Sequence, residues 1–180
     1  MHSKTTRTAT SDYEAKIDQE TTRLARQAAQ VAHTGPSPFG DPLSGITLVT
    51  ERVTEEGAPE TEARMADALR RSLAAVKLDR AYVTWTHPDL LEELLSLEPS
   101  ALVAVGPGAA RAIDSLAYPL VKEPFSDAAE GVWFSWTYGT FGLKLPALAP
   151  ALTDPGAKRH FWQAFLALRA LATGGEPGRP

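Results

Sequence analysis

Residues 101–113 read ALVAVGPGAARAI, an apolar pentapeptide followed by a glycine turn and the start of a helical pattern. An uninterrupted run of small and β-branched residues is typical of a strand that is buried on both faces of a sheet. Glycine at the turn allows the chain to pass directly from the strand into a helix. The stretch therefore predicts a strand at 101–105 and a helix near 109–117.

The same alternation of strand and helix extends in both directions from this unit. Strands are predicted at ITLVT (46–50), AYVTWT (81–86) and VWFSWT (132–137), and helices at 61–76, from Pro88 onward, and near 156–172. Apolar strands joined by helices indicate a parallel sheet that is covered on both faces. We therefore expect an α/β three-layer sandwich with a four-stranded, mainly parallel sheet, preceded by an N-terminal helix.

The pattern predicts a single α/β domain over residues 35–172. Residues 1–11 and 173–180 lack apolar periodicity and predict flexible or disordered tails. A capping-box pair at Ser11 and Glu14 predicts a helix over 12–34. Its thin apolar stripe and the cations before it make this extension a candidate partner-binding element, formed by Lys4, Arg7, Tyr13, Ile17 and Leu24.

Composition excludes several classes of function. The chain has 180 residues and a net charge of −4, which disfavours binding to nucleic acid through bulk charge. It has no cysteine, which excludes disulfides, thiolate-bound zinc, iron–sulfur clusters and cysteine nucleophiles. No apolar run approaches the roughly 20 residues that span a bilayer, and no secretory signal is recognisable. We expect a cytoplasmic protein without membrane contact, metal or cofactor.

The glycine turn is a candidate ligand site. Gly106 and Gly108 stand between a strand and a helix, where backbone N–H groups can hold a phosphate, and Arg111 follows on the helix. The dinucleotide-binding pattern requires a third glycine at the position of Arg111, and no P-loop Lys-Ser or Lys-Thr pair is present. Two interpretations stay open, a nucleotide site or a turn that requires glycine for its geometry alone.

Two further candidates follow strands of the predicted sheet, where ligands of parallel sheets bind. Glu51 follows the first strand and is a candidate general base, and His87 follows the second. The alternatives are that His87 is a turn residue at a helix start, and that the acids of this segment are a solvated loop. That segment contains Glu51, Glu55, Glu56, Glu60 and Glu62.

Basic and aromatic side chains in the second half form another candidate surface. The cations Arg111, Lys144, Lys158 and Arg159 are either a small nucleic-acid-binding patch or scattered surface charges. The aromatic residues between Trp133 and Phe141 are either core residues or a stacking surface for a base or a partner.

From about Phe39 to Leu171 the order of these segments resembles the uracil-DNA glycosylase superfamily, and within it the iron–sulfur, thermophile-type class. The segments that carry the resemblance are FGDPLSGITLVTE (39–51), DALRRSLAAVKLDRAYVTWT (67–86), LLSLEPSALVAVGPGAARAI (94–113) and LAPALTDPGAKRHFWQAF (148–165). The resemblance implies a doubly wound α/β sandwich with a four-stranded sheet.

The functional motifs of that family are largely missing. Of the first motif, of the form Gly-Glu-x-Pro-Gly, only Glu51 is kept. The late motif supplies a histidine that polarises the uracil carbonyl, but no histidine lies between His87 and His160, and Leu145-Pro146 or Ala149-Pro150 stands in its place. The asparagine after the second strand is replaced as well, and the cluster cysteines are absent. The resemblance therefore implies a catalytically degenerate member without an iron–sulfur cluster.

A weaker resemblance points to a protein that binds other proteins. Residues 149–154 and Trp162-Gln163 are similar to the psi subunit of the bacterial clamp loader, which resembles uracil-DNA glycosylases in fold and lacks their catalytic residues. By this resemblance, residues 1–33 would reach a protein partner of the replication or repair machinery. Separately, we expect any contact with DNA to be weak.

Three hypotheses follow from the sequence. The first is a non-catalytic interaction or scaffold subunit of DNA replication or repair, with no catalytic residues. The second is a divergent glycosylase that excises uracil or another deaminated base, with Glu51 as base and His87 as electrophile. The third is a small nucleotide-binding module that uses the turn at Gly106.

Overall fold

The computed structural model describes residues 36–174 and Pro177. These residues belong to the compact unit that begins at Pro36. The predicted tail at 1–11, the predicted helix at 12–34 and the candidate partner-binding side chains Lys4, Arg7, Tyr13, Ile17 and Leu24 lie outside the described residues, as does most of the predicted C-terminal tail.

Five strands and six helices form the described unit. The strands are β1 (Ile46–Thr50), β2 (Tyr82–Trp85), β3 (Ala101–Val105), β4 (Trp133–Ser135) and β5 (Phe141–Leu145). The helices are α1 (Ala58–Ala75), α2 (Leu90–Leu97), α3 (Pro107–Ser115), α4 (Leu148–Ala151), α5 (Pro155–Phe165) and α6 (Arg169–Ala172), with a 3-10 turn at Leu166–Leu168 between the last two. The α/β class is confirmed.

The sheet has the order β2-β1-β3-β5-β4. The first four of these strands are parallel, and β4 pairs antiparallel with β5. The prediction of four strands is therefore wrong: the sheet is five-stranded and mixed. The predicted strand 132–137 is the short edge strand β4, and β5 was missed.

Strand β5 escaped prediction because its sequence, FGLKL, contains a glycine and a lysine. Gly142 pairs with Phe134 on β4, and a Cβ atom at Gly142 would stand 2.7 Å from Cε1 of the Phe134 ring. The glycine thus leaves the space in which this ring packs. The glycine is therefore explained by a residue on the neighbouring strand β4. The sequence of β5 alone does not reveal this contact.

The helices form layers on the two faces of the sheet. Leu48 and Val49 of β1 are both fully buried, but they belong to different apolar clusters. Helices α1, α4 and α5 pack into the cluster of Leu48, and α2 and α3 pack into the cluster of Val49. Alternation along β1 thus places the two helix sets on opposite faces.

Helix α5 is shorter than the predicted helix 156–172. It begins after Asp154, whose carboxylate accepts a hydrogen bond from the Ala157 N–H at 2.5 Å, and Pro155 occupies its first position. It ends at Phe165, where the chain tightens into the 3-10 turn. Within the described part of the chain, no helix has the length and apolar character needed to cross a bilayer.

Candidate functional site

The carboxyl ends of β1 and β3 form the crevice at which a doubly wound sheet changes direction. From β1 the chain continues through α1 to β2 on one side, and from β3 it continues through α3 toward β5 on the other. Ligands of such sheets bind at this switch point. Here Glu51 directly follows β1, and Gly106 directly follows β3.

The side chain of Glu51 occupies this crevice and caps helix α3. The Gly108 N–H donates a hydrogen bond to Glu51 Oε2 at 2.5 Å. A Cβ atom at Gly106 would stand 2.6 Å from Glu51 Oε2, and one at Gly108 would stand 2.5 Å from the same oxygen. The two glycines therefore make room for a carboxylate of the chain itself, at the helix N-terminus where an anion is favoured.

Opposing effects act on the charge of Glu51. Burial raises the pKa of its carboxyl above the usual value, and this outweighs the hydrogen bonds from the Gly108 and Ala109 N–H groups and the charge of Arg111, which lower it.

The structure brings four of the predicted site residues together, namely Glu51, Gly106, Gly108 and Arg111. A phosphate at this turn would have to displace the Glu51 carboxylate.

The raised pKa of Glu51 makes stability depend on pH in a defined direction. Its carboxyl binds a proton more tightly in the folded chain, so its contribution to the free energy of unfolding is lost as the pH rises from the ordinary value of 4.5 through the folded pKa. We expect the free energy of unfolding of the wild-type chain to fall across this window relative to that of Glu51→Gln. Urea denaturation from about pH 4 to about pH 8 measures it.

A matched control separates this effect from the loss of a negative charge. Glu55→Gln removes one charge from the same segment at an exposed position. A difference between wild type and Glu51→Gln that stays constant, or that grows in favour of the wild type as the pH rises, would contradict the assignment.

His87 lies in a separate network between β2 and α2. Its Nδ1 accepts a hydrogen bond from the Asp89 N–H at 3.2 Å, and its Nε2 lies 2.7 Å from Glu93 Oε2. Because Nδ1 accepts, Nε2 carries the proton and donates to Glu93. The Tyr82 hydroxyl donates to Glu93 Oε1 at 2.7 Å, and Thr84 Oγ1 donates to Glu93 Oε2 at 3.1 Å.

Glu93 is therefore the centre of this network, and it was not identified from the sequence. Burial opposes its charge, but the hydrogen bonds from His87, Tyr82 and Thr84 prevail and lower the pKa of Glu93. Burial and the Glu93 carboxylate together raise the pKa of Tyr82. Both ring nitrogens of His87 have partners, which agrees with its interpretation as a turn residue. Two polar residues at alternate positions of β2 were the signal that could have indicated the network.

The acidic segment is only partly a solvated loop. Glu62 belongs to α1 and is 4% exposed; its Oε1 accepts a hydrogen bond from the Val53 N–H at 3.0 Å, and Arg52 lies 3.5 Å from its Oε2. Glu51 caps α3. Glu55, Glu56 and Glu60 are exposed. The interpretation of all five acids as solvated is wrong for the first and the last, because backbone N–H groups hold both carboxylates.

A cavity of about 470 Å³ lies beside this segment at the carboxyl edge of the sheet. Its lining includes Glu51, Arg52, Glu55, Glu56, Arg64, Ala149 and Pro150. Glu51 and the Ala149-Pro150 pair therefore border one cavity. No histidine is found among the described residues that line it.

The cations of the predicted basic patch lie on different elements of the fold. Arg111 lies on α3, on one face of the sheet, whereas Lys158 and Arg159 lie on α5, on the other. Lys144 lies on β5 and donates to the Ser126 carbonyl at 2.9 Å. The two helices thus cover opposite faces of the sheet, and a shared nucleic-acid-binding patch of these cations stays a prediction.

The aromatic residues near β4 serve mainly the core. Trp136 is 1% exposed, and Trp133 donates its indole N–H to the Ala167 carbonyl at 3.0 Å. Tyr138 is 81% exposed, with the Lys122 ammonium 3.9 Å from its ring centroid. Only Tyr138 of this group presents most of its ring to solvent.

Among the side chains of the described residues, no group of three or more His, Asp or Glu is placed to hold a metal ion. No protein-family model and no curated protein matches this chain.

Proposed function

We propose that this protein is a non-catalytic relative of the uracil-DNA glycosylases that acts as an interaction or scaffold subunit in DNA replication or repair. In this proposal it resembles the psi subunit of the clamp loader in its use of the fold. It works in the cytoplasm and binds a protein partner, and its contact with DNA is weak.

The observation that carries the proposal is the position of the Glu51 carboxylate, which caps a helix of the chain itself. Glu51 is the one residue kept from the first glycosylase motif, and its carboxylate is bonded to the N-terminus of α3. Base excision requires groups aimed at the extruded base and at the charge that develops on it. A carboxylate that caps a helix, together with a histidine whose two nitrogens are bonded within the chain, supports a structural role for both.

The divergent glycosylase remains the second candidate, and one observation favours it. A carboxyl group whose pKa is raised by burial borders a cavity at the carboxyl edge of the sheet, and perturbed groups beside cavities are typical of active sites. Against it, Glu55 and Glu56 line the same cavity and would repel a phosphate backbone. The nucleotide-binding module has less support, since the Glu51 carboxylate already occupies the turn at Gly106 and Gly108 where a phosphate would bind.

An excision assay distinguishes the two leading candidates. The full chain is incubated with single- and double-stranded oligonucleotides that contain uracil, hypoxanthine or xanthine, and abasic sites are revealed by alkaline cleavage. We expect no product above the blank, while an active uracil-DNA glycosylase cleaves the uracil substrates in parallel. Product that disappears with Glu51→Gln would overturn the proposal and establish the enzyme.

A further inference from the structure

We propose that a groove between α1, α4 and α5 binds an acidic peptide segment of the partner that carries a bulky apolar side chain. This inference rests on the proposed function, since it names the surface and the chemistry of the partner. The groove lies on the face of the sheet that α1 covers. It is distinct from the Glu51 crevice.

The groove has the size and the floor of a pocket for one large apolar side chain. Its volume is about 380 Å³, and it is lined by Arg64, Asp67, Ala68, Arg71, Ser72, Leu148, Ala151, Leu152, Lys158, Phe161 and Trp162. Leu148 and Phe161 are 4% exposed and form part of the core beneath it. Trp162, which is partly exposed and stacks on Phe165 at 5.7 Å, provides a rigid wall. Buried apolar anchors of this kind dominate the affinity of protein interfaces.

The rim of the groove is positively charged, in a chain whose net charge is −4. Three cations, Arg64, Arg71 and Lys158, stand against one acid, Asp67, so the lining carries a net charge of +2. Asp67 is ion-paired with Arg71. Arg64 and Lys158 are exposed and are the charges best placed to attract carboxylates. Apolar floor and cationic rim together fit an acidic segment with an apolar anchor.

The same features favour a peptide over single-stranded DNA. Nucleic acid is held by a run of stacking aromatic rings along a continuous basic groove, whereas here Trp162 is the one partly exposed ring of the lining. Arg64 also lines the neighbouring cavity, where Glu55 and Glu56 lie. A phosphate backbone that continued past Arg64 would meet these acids. A short peptide ends within the groove and avoids them.

Peptide selection tests the proposal directly. A phage-displayed library of random peptides is selected against the full chain, and enriched peptides are synthesised and measured by fluorescence anisotropy. We expect enriched peptides to combine Asp or Glu with Phe, Trp, Leu or Ile. Arg64→Glu/Lys158→Glu should weaken their binding at least about tenfold, since reversing rim charges opposes carboxylates.

The control is Arg159→Glu/Arg169→Glu, which reverses two exposed cations that do not line the groove. It should change binding less than about twofold. Circular dichroism verifies that both double variants are folded.

Four results would overturn the proposal. These are the absence of enriched acidic peptides, equal loss of binding in both double variants, competition by single-stranded oligothymidylate, and self-association in sedimentation that Arg64→Glu/Lys158→Glu abolishes. The last would assign the groove to a second copy of this chain. Failure of the proposed function has a different signature, namely base excision in the assay above. If no acidic peptide is enriched and no base is excised, only the assignment of this groove as the docking surface is overturned.

Discussion

Gly106→Ala is expected to lower the free energy of unfolding by several kcal/mol. Gly106 has φ 95° and ψ 157°, a backbone conformation that residues with a Cβ atom rarely adopt, which costs about 1–3 kcal/mol. The new methyl group would also stand 2.6 Å from Glu51 Oε2. It would push this carboxylate away from the N-terminus of α3, and losing a helix cap costs about 0.5–2 kcal/mol more. Urea denaturation measures the loss.

A double-mutant cycle separates the two contributions. In the Glu51→Ala background the methyl group no longer meets a carboxylate, so we expect Gly106→Ala to cost less there than in the wild type, with the backbone cost retained. Gly139→Ala is the matched control, since a Cβ atom at Gly139 would have no neighbour within 4 Å. If the Gly106→Ala chain were as stable as the Gly139→Ala chain, Gly106 would not be needed for its backbone conformation or for the space that the Glu51 carboxylate occupies.

Glu93→Ala is expected to lower the free energy of unfolding by about 1–3 kcal/mol. The carboxylate accepts hydrogen bonds from His87, Tyr82 and Thr84, and Thr84 is 1% exposed. Its removal leaves these donors without their acceptor between β2 and α2. Glu92→Ala, at the adjacent exposed position, controls for the loss of one acid from the helix. Thermal and urea denaturation measure both variants, and equal losses in the two would count against the network.

The lowered pKa of Glu93 adds a dependence on pH with the opposite sign to that of Glu51. A carboxyl whose folded pKa is lowered contributes stability above its ordinary value of 4.5, and this contribution is lost as the pH falls through the folded pKa. The stability of the wild type relative to Glu93→Gln should therefore decline on acidification below about pH 4.5. An advantage of the wild type that persists unchanged down to about pH 2 would contradict this assignment.

The sequence predicted the strands that can be recognised from their own residues, without knowledge of the neighbouring strand. β1, β2 and β3 were located correctly because most of their residues are apolar or β-branched, as is typical of strands buried on both faces. β5 was missed because Gly142 interrupts its apolar pattern. This glycine leaves space for the ring of Phe134 on the neighbouring strand. The number of strands and the antiparallel edge therefore required the pairing itself.

The candidate site shows the same division. Glu51 and the glycine turn were both identified, but as a general base and a phosphate cradle that were independent of each other. They are 57 residues apart in the chain, and they meet only because β1 and β3 are neighbours in the sheet. The groove was not predicted at all, since it requires α1 and α5 to cover the same face.

What the sequence determined by itself was the α/β class, the positions of the buried strands, and the residues that stand at their carboxyl ends. These properties depend on periodicity and on burial, which are recorded in neighbouring residues along the chain. The tertiary structure alone decided which of these residues meet. It placed the Glu51 carboxylate on the N-terminus of α3, Glu93 among three donors, and Arg64 with Lys158 around an apolar floor. Such contacts follow from the order of the strands and the faces of the helices, which are set by long-range pairing.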